Sequence, residues 1–299
     1  MKLRDLGEDR LIAQLVKDLA ARPDVIVGPG DDCAVLRSPR PGEYLLFKTD
    51  CVVEGVHFSP NDKPIAVGWK AMMRTLSDFA AMSGSPQYAL VTLAAAAEQE
   101  VRWMRQLYRG LRQAADCFRV ALVGGETSGT SGPVVISISA LGRVEKERCT
   151  LRSGGKPGDL LFVTGKLGGS FNGRHLRFVA RIEEARWLTQ KFQIHAMMDL
   201  SDGLGADLPR LAQASRLDFE VDESVIPRSG GCSIAQAIND GEDYELLFAL
   251  SPRDAEKLGK KWRAKYPRLE LTRIGRLILH ASRLRQVTRH PFHGYIHFQ

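Results

Sequence analysis

Hydrophobic positions in the first half of the chain alternate between helical spacing and short apolar runs. Residues 9–21 carry apolar side chains at helical spacing, and residues 98–116 do the same. Residues 64–82 begin with Pro64 and are apolar on nearly every side, which predicts a long buried helix. The short apolar runs predict four strands, over 44–50, 88–94, 119–125 and 134–144.

A change in composition separates this half from the rest of the chain. Residues 145–159 are charged and then rich in glycine, which is typical of a domain boundary. Beyond it the pattern predicts helices over 181–192, 203–215 and 251–266 and strands over 160–165, 245–250 and 269–277. Pro209 should disturb the early part of its helix. Because strands and helices alternate in both halves, we expect α/β or α+β layers in two domains, residues 1–145 and 146–299.

The composition is that of an ordinary globular protein and excludes several classes. The 299 residues are 44% hydrophobic and 26% charged, and no run of 18 apolar residues predicts a membrane span. The charged start MKLRDLGEDR lacks the apolar core of a signal peptide, so we expect a cytoplasmic protein. Five cysteines without a CxxC pair predict neither a zinc ribbon nor a disulfide framework. The net charge of +7 suits an anionic partner, but no nucleic-acid module accompanies it.

Acidic residues collect where predicted strands or helices meet tight turns. They are Asp31, Asp32, Asp50, Asp78, Glu126, Asp199, Asp202, Glu242, Asp243 and Glu245. Considered alone, each of these acidic positions is more simply explained by a helix cap or a turn than by a metal site. Asp78 differs because it lies within the apolar helix over 64–82, where an unpaired charge is costly. It is either a metal ligand or one member of a buried structural ion pair.

Taken together, these carboxylates predict Mg²⁺, which prefers hard oxygen ligands and is usually held by carboxylates and substrate phosphates. Several carboxylates from distant segments need two or more divalent ions, an arrangement that belongs with phosphoryl transfer from a nucleotide. The glycine-rich stretch TGKLGGS (164–170) is not a P-loop, because Leu167 follows Lys166. The GxGxxG, GxSxG and protein-kinase signatures are absent as well.

A series of motifs occurs in a characteristic order: GPGDDCAVL, KTDCVVEGVHF, GWKAMMRTLSDFAAMSGSP, VGGET, RSGGKPGD, MMDLSDGL, GEDYELLF and GYIHF. From about residue 26 to its end, the sequence resembles the thiamine-monophosphate kinase family, within the aminoimidazole ribonucleotide synthetase superfamily. The resemblance implies that ATP donates its γ-phosphoryl group to the phosphate of thiamine monophosphate. It also implies a homodimer, with the N-terminal sheets pairing into a barrel and the nucleotide bound near that interface.

The resemblance further implies roles for individual residues. The Mg²⁺ positions are Asp32, Thr49, Asp50, Asp78, Glu126, Asp199 and Asp202. The nucleotide positions are Ser201, Arg152 and the backbone of Gly124 and Gly125. The substrate positions are His57, Tyr295 and one of Glu242 and Asp243. Asp31, beside a ligand position, is a candidate for orienting its loop. His57 is either a positioning hydrogen-bonder or an ordinary loop histidine.

The expected chemistry requires no general base. The acceptor phosphate has a second pKa near ~6 and is already largely a dianion at pH 7. The difficulty is to bring two anions together, so we expect Arg152, Asp78 and Mg²⁺ to act electrostatically. Transfer is then direct, without a phospho-enzyme.

The sequence departs from the family pattern at three positions. Glu126 and Ile296 stand where the family usually has aspartate, and Cys51 stands where threonine is common. These departures leave two alternatives open. The first is another ATP-using synthetase of the same superfamily, and the second is a non-catalytic binder of nucleotide or thiamine phosphate.

Overall fold

The structure, a computed structural model, describes residues 2–19, 22–280 and 290–295. The helices are α1 (Leu3–Leu6), α2 (Glu8–Val16), α3 (Pro64–Ala81), α4 (Val101–Cys117), α5 (Ile182–Lys191), α6 (Leu204–Ala214), α7 (Ile234–Asn239) and α8 (Pro252–Lys265). The strands are β1 (Val25–Val27), β2 (Ala34–Arg37), β3 (Glu43–Val53), β4 (Ser85–Ala95), β5 (Ala121–Gly129), β6 (Val135–Glu145), β7 (Leu160–Thr164), β8 (Ile194–Asp199), β9 (Asp218–Val221), β10 (Leu246–Leu250) and β11 (Leu271–Ile278).

The strands form two sheets that follow the order of the chain. The first sheet has six strands in the order β1-β2-β3-β6-β4-β5, and only its β4–β5 pair is parallel. The second has five antiparallel strands in the order β8-β10-β7-β11-β9. Within the described residues neither sheet closes on itself. The fold is therefore a mixed α/β arrangement with one sheet in each half.

Helix α3 lies at the centre of the molecule and is buried along most of its length. It packs on α4, on α5 and on strands of both sheets. Gly68 permits close contact with α4, because a Cβ at this position would lie 2.1 Å from the carbonyl oxygen of Leu107. The indole of Trp69 donates a hydrogen bond of 2.7 Å to the carbonyl of Phe178 in the second half. Side chains on α3 can therefore reach both sheets.

Most predicted elements are present, with ends shifted by a few residues. The predicted helix over 9–21 starts earlier and ends at Val16, and α6 continues through Pro209. Strand β8 was not predicted from the hydrophobic pattern, although its last residue is Asp199. No helix in the described part of the chain is long and apolar enough to cross a membrane.

Candidate active site

Three carboxylates from distant parts of the sequence meet between the two sheets. Asp32, Asp78 and Asp199 each place one carboxylate oxygen within 4.8 Å of the other two, and all three side chains are buried. Asp32 precedes β2, Asp78 lies near the end of α3, and Asp199 ends β8. Both halves of the chain therefore contribute to this acidic cluster.

The loop that carries Asp32 is held by its neighbour Asp31. The Asp31 carboxylate accepts a hydrogen bond of 3.0 Å from the backbone N–H of Asp32. It also accepts one of 3.1 Å from the backbone N–H of Arg152. Asp31 thus ties the first half of the chain to the segment between the sheets and fixes the direction in which Asp32 points.

The two other members of the cluster have different partners. The ammonium group of Lys48, on β3, lies 2.8 Å from Oδ1 of Asp78. The hydroxyl of Ser77 donates a hydrogen bond of 2.6 Å to Oδ2 of Asp199. The ion pair that the sequence offered as an alternative role for Asp78 is therefore present, and it belongs to the same cluster as the candidate metal ligands.

Arginine side chains are paired with Asp32 and with three acidic side chains near the cluster. The guanidinium of Arg152 lies 3.2 Å (Nε) and 2.5 Å (Nη2) from Oδ1 of Asp32. Arg74 Nε lies 3.2 Å from Asp50. Arg210 Nη1 lies 2.5 Å from Asp202 and 3.1 Å from the buried Asp207, whose carboxylate also accepts from the backbone N–H of Asp202. The site therefore combines a high density of negative charge with nearly matching positive charge.

Burial and mutual repulsion shift the acid–base equilibria of the cluster. Burial is the largest cause that raises the pKa of Asp78 well above its ordinary value, and Asp50, Asp199 and Asp32 add to it. Burial and then the charge of Asp32 raise the pKa of Asp199 to about 7. The pKa of Asp50 shifts in the opposite direction. Burial raises it, but the charges of Lys48 and Arg74 outweigh burial and lower the pKa below its ordinary value. The cluster therefore needs additional positive charge to keep all its carboxylates ionised.

A cavity of about 630 Å³ opens in front of the cluster. Its lining includes Gly30, Asp31, Lys48, Asp50, Arg74, Asp78, Arg152, Asp199, Ser201, Asp202, Arg210 and Tyr244, with Glu8 and Ile12 of α2 on one side. Because four basic side chains face this space, it suits a polyanion, and the carboxylates suit a cation bound with it.

A smaller cleft adjoins this cavity and shares Arg74, Ser201 and Asp202 with it. The remaining lining side chains are Val56, His57, Phe171, Glu242 and Tyr295. His57 Nδ1 accepts a hydrogen bond of 3.1 Å from the backbone N–H of Val53, so the proton of the neutral ring lies on Nε2. The cleft thus combines two aromatic rings, an imidazole and a carboxylate beside the acidic cluster.

Several predicted site residues lie elsewhere in this structure. Thr49 lies on the exposed face of β3, where its hydroxyl accepts from Ser139, and Gly124, Gly125 and Glu126 lie on the exposed edge strand β5. Asp243 is buried away from both spaces and accepts hydrogen bonds from Gly168, Ser170 and Arg174. Ile296 lies outside the described residues. Cys51 is half-buried on β3.

Of the basic side chains at the site, only Arg152 was predicted from the sequence. Lys48, Lys70, Arg74 and Arg210 were not singled out. A signal was present on α3, because Lys70, Arg74 and Asp78 are spaced by four residues and therefore share one face of the helix. In the structure, Lys70 and Arg74 contact Glu242, and Asp78 contacts Lys48.

The cluster fits a divalent cation with oxygen ligands. Among the described residues, Oδ2 of Asp32 is buried without a hydrogen-bond partner, although Oδ1 is fully engaged by Arg152. An unpartnered buried carboxylate oxygen is costly unless a cation or water meets it. The nearby donors are carboxylates, which is the ligand chemistry of Mg²⁺ rather than of zinc.

Comparison with known families gives two matches that together cover most of the chain. The profile of the AIR synthase related protein, N-terminal domain, matches residues 30–144. The profile of the AIR synthase related protein, C-terminal domain, matches residues 169–279. The first match covers strands β2 to β6 of the six-stranded sheet, and the second covers β8 to β11 of the five-stranded sheet, so the two-domain α/β arrangement agrees with that of the family.

Individual relatives are similar over nearly their full length. A thiamine-monophosphate kinase of Rhodopirellula baltica is 36% identical, with 97% of each chain covered. One from Aquifex aeolicus is also 36% identical, with 93% of each chain covered. A solved structure of AaThiL complexed with AMPPCP and TMP superimposes with a TM-score of 0.83 at 32% identity, covering 100% of this chain and 99% of that one.

Proposed function

This chain belongs to the AIR synthase related family and, within it, to the thiamine-monophosphate kinases, and we propose that it transfers the γ-phosphoryl group of ATP to the phosphate of thiamine monophosphate. The products are thiamine diphosphate and ADP. The observation that carries the proposal is the acidic cluster of Asp32, Asp78 and Asp199 at the wall of a cavity lined by basic side chains. This arrangement is suited to bind a metal and a nucleotide phosphate side by side.

The residues of the site perform phosphoryl transfer without a general base. The acceptor phosphate is already largely dianionic at neutral pH, since its second pKa is near ~6. One of its oxygens attacks the γ-phosphorus of ATP, and the bond from that phosphorus to the bridging oxygen of ADP breaks. The site must therefore align two anions and offset their repulsion, which is the role we assign to Lys48, Arg74, Arg152 and Arg210.

We assign Mg²⁺ to the acidic cluster, with Asp32, Asp78 and Asp199 as the residues that would hold it and Asp50 and Asp202 nearby. When bound, Mg²⁺ supplies positive charge that offsets the negative charge of the phosphates. The chain prepares this site in two ways. Asp31 fixes the loop of Asp32, and Ser77 orients Asp199.

We assign the small cleft to the thiamine part of the acceptor. The thiazolium ring of thiamine is cationic and aromatic, and such a group is recognised by aromatic faces and by a nearby carboxylate. Phe171 and Tyr295 provide the aromatic faces and Glu242 provides the carboxylate. The shared wall of Arg74, Ser201 and Asp202 then lies where the acceptor phosphate meets the nucleotide. Asp243 is better placed to hold the 165–170 loop than to contact the acceptor.

We also propose a homodimer formed through the six-stranded sheet, which pairs with its copy to complete a barrel. Support comes from the outward face of that sheet, where Phe47, Tyr88 and Leu90 are each nearly half exposed. Strand β6 lies between β3 and β4 and pairs with both. Phe47 on β3 and Tyr88 on β4 lie opposite the same residue, Leu141, and Thr49 and Leu90 lie opposite Ser139. Several large apolar side chains exposed on one face of a sheet are typical of an interface.

The dimer also accounts for the predicted site residues outside the cavity. Thr49 lies on this face, and Gly124, Gly125 and Glu126 lie on the exposed edge strand of the same sheet. In a dimer they would approach the nucleotide near the interface. The division into domains of residues 1–145 and 146–299 and the cytoplasmic location remain predictions from the sequence.

The test of the function is a product assay with the full chain, ATP and Mg²⁺ across several phosphorylated acceptors. We expect thiamine diphosphate and ADP in equal amounts when thiamine monophosphate is supplied. ADP formed only with a different acceptor would instead identify another synthetase of the superfamily. Tight binding of nucleotide or thiamine monophosphate without ADP formation would identify a non-catalytic binder.

A further inference from the structure

Four of the carboxylates at the cavity are each paired with one basic side chain. The pairs are Asp32 with Arg152, Asp50 with Arg74, Asp78 with Lys48 and Asp202 with Arg210. Apart from Asp32, which lies behind the surface, every member of these pairs lines the cavity. Both the acids and the bases are therefore within reach of a bound metal–nucleotide complex.

Lys48 is the member best suited to change its partner. Its side chain is 22% exposed and lies on β3, and its ammonium group contacts Asp78, which lies beside Asp32 and Asp199 in the acidic cluster. An ammonium group is a compact charge on a flexible stem, so it can move by rotation of the stem. Arg152 differs because its planar guanidinium makes two hydrogen bonds to the same oxygen of Asp32.

We infer that Lys48 exchanges partners when metal and nucleotide bind: its ammonium group leaves Asp78 for a phosphate oxygen of the nucleotide, and the freed Asp78 carboxylate meets the metal. The inference rests on the proposed function, because it takes Mg²⁺ and ATP as the ligands of this cavity. The exchange leaves both charges compensated. Lys48 contacts a phosphate oxygen in place of the Asp78 carboxylate, and Asp78 contacts the metal in place of the Lys48 ammonium group.

The exchange makes each ligand dependent on the other. A metal ion that arrives alone competes with Lys48 for Asp78 and leaves the ammonium group beside a second cation. A nucleotide that arrives alone draws Lys48 away and leaves Asp78 uncompensated beside Asp32 and Asp199. In both cases a poorly solvated charge loses its partner, which is costly. Tight binding therefore requires metal and nucleotide together.

Substitution of Lys48 by methionine tests the exchange through two affinities that should change in opposite directions. In Lys48→Met the competitor of the metal is gone, so we expect Mg²⁺ alone to bind at least about threefold more tightly by titration calorimetry. The phosphate contact is lost too, so AMPPCP at saturating Mg²⁺ should bind about tenfold more weakly. A lysine with a structural role alone would not strengthen one ligand while it weakens the other.

The matched control is Lys260→Met, which removes the same charge from an exposed position on α8 and should change neither affinity. Circular dichroism and thermal unfolding establish that each variant is folded. If Lys48→Met does not fold, Lys48→Gln replaces it in both titrations. Unchanged or weaker Mg²⁺ binding, or unchanged AMPPCP binding, would overturn the inference. Neither affinity involves the acceptor, so the separate assay for thiamine diphosphate decides the proposed function independently.

Discussion

Lys70 and Glu242 form a buried ion pair that joins α3 to the turn before β10. The Lys70 side chain is wholly buried, and its ammonium group also donates to the backbone carbonyl of His57. Burial lowers the pKa of Lys70, and the charge of Glu242 opposes this shift. Glu242 itself has a φ of 54°, a left-handed conformation that is unfavourable for a residue with a side chain. One lysine thus holds two residues of the small cleft from opposite halves of the chain.

Removal of one partner of this pair should be far more damaging than removal of both. Lys70→Met leaves the Glu242 carboxylate buried with a 3.8 Å contact to Arg74 and a 3.4 Å hydrogen bond from the Tyr244 hydroxyl, so the free energy of unfolding should fall by about 3–5 kcal/mol. The double variant Lys70→Met/Glu242→Gln leaves no buried charge and should regain most of that loss. Urea unfolding of the two single variants and the double variant measures the difference. Additive losses would show that the two side chains are not coupled.

Asp78→Asn tests the acidic cluster directly. The change keeps the size of the side chain but removes the charge that Lys48 contacts and that we assign to Mg²⁺. Loss of one electrostatic element of an active site typically lowers kcat by about 10²–10³-fold, and we expect a decrease of that order. The measurement is the rate of ADP formation, with circular dichroism to establish the fold. Asp116→Asn, on an exposed position at the end of α4, should retain full activity. Undiminished turnover in Asp78→Asn would exclude Asp78 from the site.

The outward face of the six-stranded sheet predicts the effect of a charge at Leu90. Leu90 is 46% exposed and lies on β4, which has a strand on each side, so Leu90→Asp would place a carboxylate in the proposed dimer interface. We expect the mass measured by light scattering to fall from that of a dimer to that of a monomer. Val101→Asp is the matched control, because Val101 is 66% exposed on α4, away from this face, and should leave the dimer intact. A monomeric wild-type protein would contradict the proposal itself.

The acidic half of the site was accessible from sequence because its members carry local signals. Asp32 and Asp199 lie where an apolar segment meets a turn, and such positions project a carboxylate from a rigid element. Asp78 was recognised by a different signal, because it is a charge within a helix that is apolar on nearly every side. The long apolar helix over 64–82 was equally clear, because a segment that is apolar on nearly every side has to be buried. Both signals can be recognised from a short stretch of sequence, without knowledge of the tertiary structure.

The basic half was not accessible in the same way. Lysine and arginine are usually on the surface, so Lys48 in a strand carries no local sign of burial, and the only local signal for Arg74 is the helix face that it shares with Asp78. Their partners lie 30 and 24 residues away, and only the packing of α3 on β3 brings them together. Strand β8 was missed for a related reason. Its six residues include a histidine and an aspartate, and its pairing with β10 depends on residues about 50 positions further on.

The pH dependence of stability should report on Asp243. Burial raises the pKa of this carboxyl from 3.8 to about 7, although Arg174, Ser170 and the backbone N–H of Gly168 oppose the shift. A folded-state pKa above that of the unfolded chain means that the native state binds the proton more tightly. The stabilising contribution of Asp243 is therefore fully present below pH ~4 and is lost as the pH rises through ~7.

Comparison with Asp243→Asn isolates this contribution from those of the other carboxyls. The asparagine keeps a carbonyl oxygen that accepts hydrogen bonds but does not titrate. Between pH 4 and 7 the stability of the wild type should fall relative to that of the variant by about 1.4 kcal/mol per pH unit. Urea unfolding of both proteins at pH 4, 5, 6 and 7 provides the measurement, and Asp116→Asn should run parallel to the wild type. Parallel curves for Asp243→Asn as well would mean that Asp243 stays ionised throughout this range, held by Arg174.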